Sequence, residues 1–411
     1  MRQNVIFFCW AFTIHYLSGQ NPTTTSNSYI AAEFTLGKIM EANDGFPSTN
    51  LQGEFFLSYG SYNNYNASEW VQQLNYPKTG VMLGFSDFGN TQNVGKAYAI
   101  MPFIELTPFK KTHINVGFGS SYIDTQYDSI SNPNNRGAST KVNWSFRSFL
   151  YYDIIKTKAI DWRFGMGYAH HSNGHTRLPN QGLNSFLGSI SAKINTKKSP
   201  TVFSEVRKTK SRQTYFSSRF GYGINVLSQR FNTLKPVYTI ALEYGKIYNE
   251  TFQLGYGFYY RFYEHYYDYI KNNGALIVED YPIFQDNPFG YASNFGLFVT
   301  TEVLLGHVGV SLDIGINIYK PFYKVDWRLT QGYEYTNAQG QTFEVLGELD
   351  WYYEIKRTIS SRLGLKYYLV NTDKTPKHNI FFGVHINANL GQADFTDFSL
   401  GYVYRFAKKS K

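Results

Sequence analysis

Long runs in which apolar side chains alternate with polar or small ones recur along the chain, and they constrain the fold more than any other feature. From His307 to Tyr319 the residues Val308, Val310, Leu312, Ile314, Ile316 and Ile318 alternate with His307, Gly309, Ser311, Asp313, Gly315, Asn317 and Tyr319. Phe252, Leu254, Tyr256, Phe258, Tyr260 and Phe262 form a second such stripe, and Ile380, Phe382, Val384, Ile386, Ala388 and Leu390 a third. Successive side chains point to opposite faces of a strand, so each segment has one apolar face and one polar or small face. Length separates soluble from membrane sheets. A tilted strand needs about 9–11 residues to cross a bilayer, whereas soluble strands average about 5–6. Lipid satisfies no backbone hydrogen bond, so spanning strands must close into a barrel. The competing reading is a soluble β-sandwich.

Composition narrows the class further. Aromatic residues make up 18% of the chain, which offers ample apolar surface and excludes disorder. No run of about 20 apolar residues follows the N-terminus, which excludes a helical membrane protein. Thirty-five glycines and the lack of heptads exclude a coiled coil. Strands are predicted at 28–40, 52–63, 79–88, 96–106, 112–123, 141–155, 160–171, 184–195, 214–227, 237–248, 251–264, 293–304, 307–319, 344–355, 361–370, 378–390 and 396–406. Bacterial barrels usually have an even strand number, so the expected fold is an all-β, transmembrane, antiparallel outer-membrane β-barrel of roughly 14–16 strands. The Pro-, Asn- and Gly-rich stretches 42–50, 129–139, 173–183 and 273–292 read as loops.

Residues 1–19 read as a signal peptide, with Arg2 before an apolar stretch from Val5 to Leu17 and small residues Ser18 and Gly19 after it. Cys9, the only cysteine, lies inside that stretch, so no disulfide or thiolate metal site is expected in the mature chain. The formal charge of +9 is partly local, in Lys408, Lys409 and Lys411 and in the segment Lys197–Arg212, which reads as a periplasmic linker. Export argues against nucleic acid as the partner, leaving anionic lipid or a solvated face. The last strand, Ser399-Leu-Gly-Tyr-Val-Tyr-Arg-Phe406, resembles the C-terminal signal that the barrel-assembly machinery reads, with Ala407 to Lys411 following it.

No HExxH, Walker A, G-x-S-x-G or metal-spaced His/Cys cluster is present, and no cofactor or metal is expected. One segment carries chemistry: His170-His-Ser172-Asn173-Gly174-His175-Thr-Arg-Leu-Pro179-Asn180-Gln-Gly182-Leu-Asn184. Trp162, Phe164, Met166 and Tyr168 form the lipid-facing stripe of its strand, and His170 and Ser172 continue that stripe. Residues i and i+2 on one face lie about 7 Å apart, so the imidazole can lean to reach the hydroxyl, a general base beside a nucleophile. A hairpin pairing His170 with Asn184 also pairs Asp161 with Lys193 and makes Asn184 a candidate to orient the imidazole. Backbone amides of Asn173, Gly174 and His175 and the Asn180 side chain could hold an oxyanion. The plain alternative is a turn rich in Asn, His and Gly.

His170-x-Ser172-Asn173 followed by Pro179-Asn180-x-Gly182 resembles the motif of the lipid A 3-O-deacylases (PagL), relatives of which are called acyloxyacyl hydrolases. The resemblance implies an outer-membrane barrel that removes an ester-linked acyl chain from lipid A without metal or cofactor. It implies His170 as base, Ser172 as nucleophile and Asn180 in the oxyanion hole. The family's third member is a Glu twelve residues after the Ser, where this chain has Asn184. A neutral amide stabilises an imidazolium less than a carboxylate does, so lower basicity or a carboxylate from elsewhere is expected. The family's minimal barrel has eight strands, which residues 20–195 could hold, with 196–411 adding strands to the same barrel because only the final strand carries the assembly signal. A periplasmic N-terminus would then put the hairpin at the outer leaflet.

The leading expectation is therefore a Ser-His esterase acting on lipid A, with lipopolysaccharide, the outer membrane and the barrel-assembly machinery as partners. The alternative is a non-catalytic barrel, either a channel or a structural protein that binds lipopolysaccharide.

Overall fold

The computed structural model describes residues 28–64, 66–157, 159–195, 210–336 and 339–407. The signal-peptide reading, Cys9, the basic tail and most of the segment Lys197–Arg212 lie outside these residues. No described helix is long and apolar enough to cross a membrane. The strands form two separate closed barrels of eight strands each.

The first barrel comprises β1 (Ser28–Ile39), β2 (Gln52–Tyr62), β3 (Lys78–Asp87), β4 (Lys96–Phe109), β5 (Thr112–Ile123), β6 (Val142–Lys156), β7 (Ile160–Ser172) and β8 (Leu183–Asn195). A short helix, α1 (Glu69–Gln73), lies between β2 and β3. The wall closes where β1 pairs with β8, from Tyr29 opposite Asn195 to Ile39 opposite Ser185. The second barrel comprises β9 (Arg212–Asn225), β10 (Lys235–Tyr248), β11 (Phe252–Tyr263), β12 (Ser293–Leu305), β13 (Val308–Tyr319), β16 (Ile359–Tyr368), β17 (His378–Asn389) and β18 (Gln392–Arg405). It closes where β18 pairs with β9, from Thr396 opposite Ile224 to Arg405 opposite Tyr215. Between β13 and β16 a small sheet, β14 (Tyr333–Thr336) with β15 (Thr342–Val345), stands apart from both barrels.

The fold is thus the expected all-antiparallel outer-membrane barrel architecture, with sixteen barrel strands, and the protein is integral to the outer membrane. The expectation of one continuous barrel is corrected. Closure is decided by which strand β1 meets, and it meets β8. The predicted strand at 344–355 is also corrected, because α6 (Trp351–Thr358) begins there. The Asp350 side chain caps it by accepting from the Tyr353 amide at 2.8 Å, and that local bond outweighs a ragged alternation.

Outward side chains are apolar, as lipid demands, and the stripe Leu312, Ile314, Ile316 and Ile318 on β13 is exposed. Inward side chains are polar and charged, and they pair across the lumen. In the first barrel Arg147 meets Glu33 at 2.9 Å and Arg163 meets Glu105 at 2.8 Å. The Arg147 guanidinium lies between the rings of Phe56 and Phe149, 4.2 and 3.8 Å from their centroids. In the second barrel Arg219 meets Asp313 at 2.9 Å and Arg362 meets Asp397 at 3.1 Å. An eight-stranded barrel is just wide enough for side chains to fill, whereas one of sixteen strands leaves a water-filled channel. Voids beside Arg219 and beside Arg147 each measure about 10 Å³, room for about one water.

The β2–β3 connection with α1 lies at one end, while most of the long connections gather at the other, the end that outer-membrane barrels turn outward. There the second barrel carries a folded cap built from α2 (Glu264–Lys271), α3 (Ala275–Glu279), α4 (Pro288–Tyr291), α5 (Tyr323–Thr330) and α6. Tyr266, Tyr269, Ile270, Phe284, Phe322 and Val325 form its core, together with Leu227 and Val237 of the barrel rim.

Arg147→Met should destabilise the refolded protein by about 3–5 kcal/mol, because it leaves the Glu33 carboxylate buried without its cation. The urea midpoint measures this. Adding Glu33→Gln to Arg147→Met should recover part of the loss.

Candidate functional site

β7 and β8 pair with His170 opposite Asn184 and Asp161 opposite Lys193. Inside the lumen Lys193 and Asp161 form an ion pair at 3.2 Å. On the outer face the same register makes a continuous hydrogen-bonded chain. The Tyr168 hydroxyl donates to Asn184 Oδ1 at 2.5 Å, and His170 Nδ1 donates to the same oxygen at 2.7 Å. His170 Nε2 then accepts from the Ser172 hydroxyl at 3.0 Å. The amide oxygen can only accept, so it fixes the ring as the neutral tautomer protonated at Nδ1.

The hairpin after β7 explains how the chain holds this geometry. The Asn173 amide donates to Asn180 Oδ1 at 3.0 Å, and Asn173 Nδ2 donates to the Arg177 carbonyl at 2.7 Å and to the Ser139 hydroxyl at 3.1 Å. Gly182 has φ +78°, and a Cβ there would stand 2.7 Å from His170 Cε1. The glycine of the P-N-x-G motif is thus the floor against which the imidazole rests.

Of the residues singled out from the sequence, His170, Ser172 and Asn184 come together. Asn173 and Asn180 bond to each other, which occupies the Asn173 amide and makes Asn180 an acceptor inside the hairpin. His175 points away from Ser172: its Nε2 lies 3.0 Å from the Val226 carbonyl in the second barrel. The Gly174 carbonyl accepts from Thr396 Oγ1 at 3.2 Å, also in the second barrel. Four contributors had not been singled out. Tyr168 shares Asn184 with the histidine. Trp144 on β6 lies opposite Ser172, a neighbour that correct β6–β7 pairing would have given. Ser139 and Thr396 left no local signal.

A family model described as Lipid A 3-O-deacylase (PagL) matches residues 49–193, that is 145 of the 411 residues. It begins just before β2 and ends within β8, so it covers most of the first barrel and none of the second. No curated protein matches the chain. Among solved structures, a triple mutant of Rhodopseudomonas blastica porin is 10% identical over 93% of this chain and 100% of its own, with a TM-score of 0.17. Pseudomonas aeruginosa OccK5 (OpdH) is 10% identical over 93% of this chain and 98% of its own, with a TM-score of 0.21. An outer-membrane channel of Pseudomonas putida F1 is 8% identical over 94% and 98%, with a TM-score of 0.17. At such scores no superposition is shared.

Two expectations are corrected here. The resemblance to the deacylase family does not hold for the chain as a whole, which is two closed barrels and not the small single barrel of that family, and the family match stops within the first. The assignment as an ester hydrolase of the lipid A deacylase or acyloxyacyl hydrolase type is corrected with it. A carboxylate stabilises the imidazolium that a Ser-His pair forms, and a neutral amide does so less. Among the described residues no carboxylate bonds to His170; its partner is the neutral Asn184, already shared with Tyr168. An imidazolium at this half-buried position would be a charge without a counter-charge. The Asn173 amide, expected to face an oxyanion, is spent on Asn180.

Gly182→Ala should cost about 1–3 kcal/mol, because alanine is strained at positive φ, and it should push the imidazole away from Ser172. The ring-nitrogen shifts of His170 in NMR spectra of the refolded protein measure the displacement.

Proposed function

We propose that the protein is a non-catalytic outer-membrane barrel protein that binds lipopolysaccharide at the outward end of its first barrel. The observation that carries this reading is a hydrogen-bonded polar cluster, Tyr168–Asn184–His170–Ser172, at the end of a lipid-facing apolar stripe. Polar side chains in such a place are costly unless they pair with one another, as these do, and a histidine there marks a functional contact. Phe164 and Met166 continue the stripe toward the membrane interior and are exposed. A ligand here meets hydrocarbon on one side and hydrogen-bonding groups on the other, which is the chemistry of an acylated sugar.

Cations are placed to meet its phosphates. Lys38 lies opposite Phe186, which in turn lies opposite Tyr168, so one cross-strand row runs from the cation to the cluster. Arg177 is exposed on the hairpin. Lysine and arginine both bind phosphate, the arginine with a planar fork of donors. The channel reading has less support, because paired charges and aromatic rings fill both lumens.

Lipopolysaccharide should remain with the protein through purification in detergent. The double variant His170→Ala/Asn184→Ala should weaken its binding by about 1–2 kcal/mol, roughly five- to thirty-fold, as expected for two lost hydrogen bonds. Titration calorimetry with purified lipopolysaccharide measures this, with heat-modifiable gel migration as the folding control. Loss of a fatty acyl mass from lipid A incubated with the parent would overturn the non-catalytic reading. Stepwise conductance in planar bilayers would overturn the closed lumens.

A further inference from the structure

We infer that the second barrel is part of the lipid site: it seats the hairpin, and its β18 wall forms with β6 and β7 a cleft that takes an acyl chain of the bound lipopolysaccharide. This rests on the lipid-binding reading above.

The seating is a set of bonds between the barrels at their outer ends. Trp144, opposite Ser172 on β6, donates from its indole nitrogen to Thr396 Oγ1 at 3.2 Å. Thr396 in turn donates to the Gly174 carbonyl, two residues past Ser172, at 3.2 Å. A Cβ on Gly174 would stand 2.3 Å from Thr396 Oγ1, so the absence of a side chain there is what lets the second barrel approach. The Val226 amide donates to the His175 carbonyl at 3.3 Å, and His175 Nε2 faces the Val226 carbonyl. Asn232 bonds to both the amide and the carbonyl of Leu178, at 3.0 and 2.6 Å. The loop that holds these partners is itself anchored, since Leu227 packs into the cap and the Phe231 ring meets Tyr269 edge-on at 5.3 Å.

Below this junction the outward side chains of both barrels are exposed. Thr396 faces outward on β18 and is only 4% exposed, because the first barrel covers it. Phe398 and Leu400, the next outward residues toward the membrane interior, are 55% and 52% exposed. On the first barrel, Leu150 of β6 and Met166 of β7 are 46% and 57% exposed. At their inner ends the barrels touch through other elements, where Asn249 of the β10–β11 turn donates to Gln73 of α1 at 3.4 Å. Two apolar outer faces that run inward from one junction, β18 on one barrel and β6 with β7 on the other, are covered by hydrocarbon in the membrane. The upper lip of the cleft is Trp144 and Thr396, which border Ser172. The hydrocarbon continuous with a head group bound at Ser172 is that lipid's own acyl chain.

The test uses the full chain refolded into phospholipid vesicles in which lipopolysaccharide is a minor component. Photoreactive p-benzoylphenylalanine replaces Phe398 in one variant and Val299 in another. Val299 is exposed on β12, four strands around the wall from β18. Cross-linking to lipopolysaccharide should be several-fold higher from position 398 than from position 299. Adding Thr396→Val, with unchanged gel migration, should reduce that excess. Equal cross-linking from both positions, in a protein that still binds lipopolysaccharide by calorimetry, would overturn the cleft and leave the lipid-binding reading standing. An excess unchanged by Thr396→Val would overturn the role given to that residue. A parent that binds no lipopolysaccharide would overturn both readings.

Discussion

Every backbone amide and carbonyl that lies in hydrocarbon must find its partner within the protein, and the rest of the structure follows from that requirement. A strand edge left open in lipid is not tolerated, so each set of strands closes on itself: β1 with β8, and β9 with β18. Closure at eight strands rather than sixteen then fixes the interior. A narrow barrel has no room for bulk water, and its inward side chains must satisfy one another. Glu302 is one example, accepting from Lys366 at 2.6 Å and from the Tyr368 hydroxyl at 2.7 Å while buried. The lumens are therefore polar cores that hold the walls together, and the surface where a ligand can act is moved to the rims and to the outer face.

This inversion, with polar groups inside and apolar groups outside, is why the cluster at Ser172 stands out. Inward polar residues such as His171, which sits 2.8 Å from the Ser121 hydroxyl, are part of the core. His170, one residue earlier, points the other way and lies at the edge of the lipid face. The second barrel extends this edge. Its contacts with the hairpin come from the β9–β10 connection, at Val226 and Asn232, and from Thr396 of β18, so the hairpin is held from outside as well as by its own turn.

Much of this was legible in the alternation. Sixteen of the seventeen predicted strands correspond to barrel strands, because an uninterrupted period of two leaves a lipid-facing segment no other conformation. The β7–β8 register was legible as well, since the apolar stripes of the two strands have to coincide. The number of barrels was not. β8 and β18 alternate equally well, and nothing local to β1 says which of them it meets; an assembly signal on the last strand marks a chain end and does not count closures. At the site, His170, Ser172 and Asn184 could be read from spacing. Thr396 could not, because it lies 224 residues from Ser172 in the chain and reaches it only through the packing of one barrel on another. The cap was also out of reach, since its short helices are held by aromatic stacking such as Tyr266 on Phe322, whose centroids are 4.3 Å apart.

The residue opposite His170 decides how the cluster is read. Distances do not separate a binding site from a hydrolytic one, because both place a hydroxyl within reach of an imidazole. Charge does. With a carboxylate at position 184, the chain from Tyr168 to Ser172 would hold a buried negative charge that is offset when the imidazole takes a proton, and the site would be poised to turn serine into a nucleophile. With Asn184 the chain is neutral from end to end, and its lowest-energy state keeps the proton on the serine. Such an arrangement suits a low-dielectric surface that must present oriented donors and acceptors without carrying charge. The same residue that weakens the base leaves the cluster without charge, which agrees with the proposed lipid binding better than with lipid cleavage.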